Sequence, residues 1–131
     1  MPTLILVVDP SPDTRAIYTD YFTHHGYLVA QAAHAVEAAQ LTRMLHPAVI
    51  VTELCEDGEW VHVIRCGDSG REAAIIACTT LVDASAPRLP FACDVDSVIP
   101  KPASLRTLLG EVERLVARHA PVPQRNAALT C

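Results

Sequence analysis

The sequence predicts a single α/β domain, a parallel sheet with helices on both of its faces. Three observations carry that prediction. Short β-branched runs recur along the 131 residues, longer segments of helical periodicity lie between them, and no repeat or low-complexity tract breaks the alternation. Half of the residues are apolar and only five are glycine. That composition can fill a core and is far from a disordered or fibrous one.

Each element has its own signal. Leu4–Val8 is a continuous apolar run, as in a strand buried on both faces. It stops at Asp9-Pro10-Ser11-Pro12. There Ser11 can cap a helix whose first position is Pro12, where the missing N–H costs nothing. Ile17, Tyr21 and Phe22 give that helix an apolar face, and Gly26 supplies a left-handed stop. Residues 27–32 read as a second strand, Ala35–Leu45 as a helix bounded by Pro47, and 48–52 as a third strand.

A loop at 53–58 leads into a short helix at 59–65, and 67–70 is the exit loop. A fourth strand follows at 74–78 and a short fifth at 97–99. Between them, Pro87 and Pro90 lie in the stretch 81–96. Each would cost ~3 kcal/mol in a helix interior, so a fourth helix over 81–96 is expected to be short or irregular. Ser104 caps the last helix, along which Leu105, Leu108, Leu109, Val112, Leu115 and Val116 line one face. Residues 1–119 are thus expected to form the domain. Residues 120–131, with Pro121 and Pro123, are expected to form a flexible tail.

Composition also excludes functions. The net charge is -5 and the cations are scattered, whereas a nucleic-acid surface needs clustered cations to neutralise phosphates. No apolar run approaches the roughly 20 residues of a membrane span. No basic segment precedes the first run, so no signal peptide is read and a cytoplasmic location is expected. The five cysteines (Cys55, Cys66, Cys78, Cys93, Cys131) show no close pairing, and His24-His25 has no cysteine near it in sequence. Reduced thiols are expected, with Cys78 a small apolar strand residue, rather than a metal site.

In an open parallel sheet the working crevice lies at the carboxyl ends of the strands. The residues there are Asp9, Glu53, Thr79 and the stretch ending in Lys101. Two acids, a hydroxyl and an ammonium in this order suit a phosphoryl or anion site: carboxylates for a divalent cation, hydroxyl and ammonium for phosphate oxygens.

Here the sequence resembles the receiver domain of two-component response regulators, the CheY-like family. The resemblance spans roughly residues 3–118 and rests on Leu6-Val7-Val8-Asp9 with Pro12-Asp13-Thr14-Arg15, and on His24-His25-Gly26-Tyr27. It rests further on the run from Pro47 to Leu54, on Ile75-Ile76-Ala77-Cys78-Thr79, and on Val98-Ile99-Pro100-Lys101-Pro102. It implies the flavodoxin-like winding, five parallel strands in order 2-1-3-4-5 with helices on both faces. It also implies two adjacent acids after strand one, an aspartate phosphoacceptor after strand three, a magnesium ion joining them, and a switch hydroxyl, an aromatic and a lysine.

By that resemblance Asp9 matches the first acid, Thr79 the switch hydroxyl and Lys101 the lysine. Three positions depart: Pro10 stands for the second acid, Glu53 for the phosphoacceptor and Val98 for the switch aromatic. Glutamate is one methylene longer than aspartate, and in-line transfer tolerates little displacement of the acceptor oxygen. Magnesium is demanding about its octahedron, so loss of the acid at position 10 leaves Asp9 and Glu53 a weakened pocket for Mg2+. No cofactor is expected to be required.

The expected function is therefore a pseudo-receiver, a non-enzymatic signalling module acting through protein partners such as a histidine kinase or an output protein. Glu53 could mimic a phosphorylated aspartate through Lys101, or be an acid at a decayed site. A working atypical regulator, phosphorylated on Glu53 or Asp57, is the alternative. A small enzyme or nucleotide binder is the third, but G-x-G-x-x-G, P-loop and G-x-S-x-G motifs are all missing. Trp60 is expected to pack, or to anchor a partner if exposed beside Glu53. A homodimer through the last helix and fifth strand is a further expectation.

Overall fold

The structure is a computed structural model that describes residues 3–53, 73–79, 96–100 and 104–119. The expectations for 59–65, Asp57, Trp60, 81–95, Lys101 and 120–131 lie outside those residues, as do those for Cys55, Cys66, Cys93 and Cys131. The described strands are β1 (Leu4–Val8), β2 (Leu28–Ala32), β3 (Val49–Thr52), β4 (Ala74–Thr79) and β5 (Ser97–Pro100). The described helices are α1 (Pro12–His24), α2 (Ala35–Leu45) and α3 (Leu105–His119). The strands form one sheet in order β2-β1-β3-β4-β5, and every pairing is parallel. This is the winding expected from the sequence, with strand boundaries within one residue of those read there.

Two apolar layers hold the sheet, because side chains of a strand alternate between its faces. Ile5, Val7, Val49, Val51, Ala74, Ile76, Cys78 and Ile99 form one layer with Phe22 of α1 and with Leu108, Leu109, Val112 and Leu115 of α3. Leu6, Val8, Ile50, Ile75 and Ala77 form the other with Ala32 and with Ala38 of α2. The continuous apolar runs of β1, β3 and β4 are thus explained by burial on both sides. Among the described residues, no helix is long and apolar enough to cross a membrane.

The helix ends follow local chemistry. Ser11 Oγ accepts the Thr14 N–H at 3.2 Å and Pro12 opens α1. At the other end Gly26 adopts φ +95°, the conformation expected of a glycine stop, and the Tyr27 N–H donates to the Phe22 carbonyl. In α2 the cap is His34, whose Nδ1 accepts the Glu37 N–H at 3.4 Å, while Glu37 Oε1 accepts the Ala33 N–H at 2.8 Å. His46 closes α2 in the left-handed region, and Pro47 follows. Ser104 Oγ accepts the Thr107 N–H at 3.0 Å, the expected cap of α3.

One expectation is corrected. Ile17 is 53% exposed, so it is not on the inner face of α1. That face is Tyr18, Tyr21 and Phe22, at i, i+3 and i+4, with the three rings in edge and tilted contact.

Candidate functional site

The register sets the site. Val8 pairs with Thr52, and the Glu53 N–H donates to the Val8 carbonyl at 3.1 Å. Asp9 and Glu53 therefore leave adjacent strands side by side, their backbones about 5 Å apart. By strand alternation both continue the columns Ile5–Val7 and Val49–Val51, on the face packed by α1 and α3. Thr79 is the last residue of β4, in register with Pro100. Lys101 is the next residue after Pro100 and lies outside the described residues. The sheet thus brings the ends of β1, β3, β4 and β5 to one rim, as the sequence predicts.

Asp9 is only 5% exposed. Its N–H donates to the Ala32 carbonyl at 3.1 Å, extending the β1–β2 ladder by one step. Its Oδ1 accepts the Ser11 N–H at 2.8 Å, a turn that a short acidic side chain makes with the backbone two residues on. Glu53 is half-buried. The Thr52 hydroxyl beneath it donates to the Glu53 carbonyl at 3.3 Å.

Arg15 and Gln31 were given no role from the sequence. Arg15 Nη1 donates to the Asp9 carbonyl at 2.6 Å and its Nε to Gln31 Oε1 at 3.3 Å. One guanidinium fork thus ties α1 to the ends of β1 and β2 and brings a fixed positive charge to the acidic rim. The signal was available: Arg15 lies one helical turn past Ser11, on the side that faces back to the strand ends. Pro10 is exposed at the bend after Asp9 and offers no side-chain oxygen. Val98 is half-buried and packs with the α2-side layer, a small apolar residue where the resemblance implies an aromatic switch.

The donor set tests the magnesium expectation. Asp9 and Glu53 supply two carboxylates, and one Asp9 oxygen already accepts a backbone N–H. Among the described residues no cluster of three potential ligands forms. Those residues do not fit the three-acid cradle that the resemblance implies, because position 10 is proline.

The far rim is charged differently. Asp96 extends the β4–β5 pairing: its N–H donates to the Ile75 carbonyl and its Oδ2 accepts the Ile75 N–H, both at 2.8 Å. Arg118 of α3 approaches Asp96 Oδ1 at 3.8 Å. Glu111 takes two guanidinium bonds from Arg114, at 3.0 and 2.6 Å. Those bonds, with one from Ser97, lower its pKa from the ordinary 4.5 to about 2. Burial and then the charge of Glu113 raise the Tyr27 pKa.

No family model matches the sequence, and no curated protein matches it. Solved structures do match in shape. The Vibrio cholerae chemotaxis protein CheY4 superposes with TM-score 0.79 at 23% identity, over 88% of this chain and 99% of that one. The receiver domain of a signal transduction histidine kinase from Syntrophus aciditrophicus gives 0.81 at 20%, over 93% and 96%. The receiver domain of a sensor histidine kinase from Pseudomonas aeruginosa, solved with magnesium in its active-site cleft, gives 0.79 at 18%, over 89% and 99%. The fold is that of CheY-like receiver domains. Identities this low carry the fold and not the chemistry.

Proposed function

We propose that this chain is a receiver-like module of a two-component or phosphorelay pathway that acts by binding protein partners, without standard phosphotransfer. The observation that carries this is the pairing of Val8 with Thr52, which sets Glu53 beside Asp9 while Pro10 occupies the next position. On this reading Glu53 stands at the acceptor position, with a carboxylate one methylene longer than an aspartate's. Phosphoryl transfer depends almost wholly on positioning and on charge neutralisation by metal. Both are impaired at the same place, so the two faults compound.

A rim that is permanently acidic, braced by Arg15, then presents one surface regardless of phosphate supply. Its recognition by a histidine kinase or an output protein is read in that fixed state. Protein association without turnover also accords with a chain read as non-enzymatic and cytoplasmic. Incubation of the full chain with acetyl phosphate and magnesium, read by intact-mass spectrometry, is the direct test. No phosphoryl adduct is expected. A magnesium-dependent adduct on Glu53 or Asp57 would replace this reading by that of a working, atypical regulator.

A further inference from the structure

Among the described residues the sheet has two outer strands, β2 and β5, and β2 is built unlike a guarded edge. Its register with β1 runs unbroken from Leu4↔Leu28 to Val8↔Ala32. The Leu28 N–H donates to the Thr3 carbonyl at 2.9 Å and the Ala32 carbonyl accepts from Asp9 at 3.1 Å. Leu28, Ala30 and Ala32 therefore turn their backbone groups to β1, and alternation turns those of Val29 and Gln31 outward. Among the described residues, no strand pairs with that outward side. The strand reads LVAQA, with no charge, no proline and no bulge, the usual devices against edge pairing.

Most of the exposed large apolar side chains lie on this side of the sheet. Five large apolar side chains stand exposed among the described residues: Ile17, Leu28, Val36, Met44 and Leu45. Four of the five lie on β2 or α2. The last helix has no such residue, since Leu108, Leu109, Val112 and Leu115 are all buried.

We propose that β2 is a homodimer interface, in which two copies pair antiparallel, edge to edge, about a twofold axis at Ala30. The occupant is a second copy because the edge is self-complementary. Its outward groups sit only at Val29 and Gln31, symmetric about Ala30, so Val29 of one copy faces Gln31 of the other. Four backbone hydrogen bonds form with no shift of register. An uncharged strand paired with itself opposes no like charges.

The helices above agree with that symmetry. Helix α2 packs over both β2 and β1, so the two α2 axes would lie about 10 Å apart, the spacing of packed helices. Strand and helix each span about 17 Å. Antiparallel α2 helices set the Glu37 end of one beside the Arg43 end of the other, and Val36, Met44 and Leu45 supply apolar area. The interface does not depend on the phosphotransfer reading. It also differs from a dimer through the last helix and fifth strand, whose apolar stripe is already spent on the core.

The test is amide exchange by NMR on the full chain at two concentrations about tenfold apart, with sedimentation velocity at each. A dimer fraction that rises with concentration is expected, together with slowed exchange at Val29 and Gln31 only in the dimer. Leu28→Lys, at an exposed position, is expected to weaken association about tenfold, the effect of a charge on an edge, with an unchanged circular dichroism spectrum. A monomer throughout overturns the proposal. So does a dimer with unchanged exchange at Val29 and Gln31, or one that Leu28→Lys leaves intact. Protection independent of concentration and lost on deleting 120–131 would overturn it too, by assigning the edge to the chain's own tail.

Discussion

The two edges of this sheet solve the same problem in opposite ways. Toward the β5 edge, α3 packs on β4 and β3, turns Leu108, Leu109, Val112 and Leu115 into the core and exposes no large apolar side chain. Asp96, Glu111, Arg114 and Arg118 then lace the rim with ion pairs. At the β2 edge, α2 buries Ala38 and Thr42, small side chains, and leaves Val36 and Met44 in solvent at 64% and 71% exposure. The difference teaches that one receiver fold can spend its apolar residues on stability at one end and hold them at the surface at the other.

The largest effect that sharpens this contrast is in the core. Leu115→Ala is expected to lower the unfolding free energy by about 2–5 kcal/mol, since a fully buried side chain leaves a cavity between α3 and the sheet. Chemical denaturation measures it, and a loss well under 1 kcal/mol would break the claim that α3 is spent on packing.

A smaller effect belongs to the ion pairs. The Glu111 pKa is about 2 in the folded chain against an ordinary 4.5. A folded pKa below the unfolded one contributes stability above pH 4.5 that disappears as pH falls toward 2. Glu111→Gln is therefore expected to be less stable than wild type at neutral pH, with the gap closing as denaturation is repeated at pH 5, 4 and 3. A gap that stays constant across this window would show that the carboxylate's charge is not what stabilises the edge. The smallest effect is expected at the other edge: Met44→Ala should change monomer stability by less than about 0.5 kcal/mol. A much larger loss would mean that α2 is not the surface element its exposure indicates.

The sequence carried the sheet because β1, β3 and β4 are buried on both faces, and such strands must read as unbroken apolar runs. It carried the helix ends where the chemistry is conventional, at Ser11, Gly26 and Ser104. It misplaced Ile17, because periodicity fits several faces of a helix, and three aromatic rings outcompeted one aliphatic side chain for the sheet. The His34 cap was missed because imidazole is an uncommon capping acceptor. The rim positions of Asp9 and Glu53 followed from topology alone. The Arg15 clamp did not, because a charged residue on a helix is ordinarily a solvated one, and only the strand ends give this one a carbonyl to hold.

The proposed lack of phosphoryl transfer is tested at positions 10 and 53. Glu53→Asp combined with Pro10→Asp, treated with acetyl phosphate and magnesium and read by intact mass, supplies the second acid and the shorter acceptor that the proposed function holds to be lacking. A magnesium-dependent phosphoryl adduct is expected in the double variant and none in the wild type. An adduct on the wild-type chain, or none on either, would contradict it: the first because the site already works, the second because its faults lie elsewhere than at positions 10 and 53.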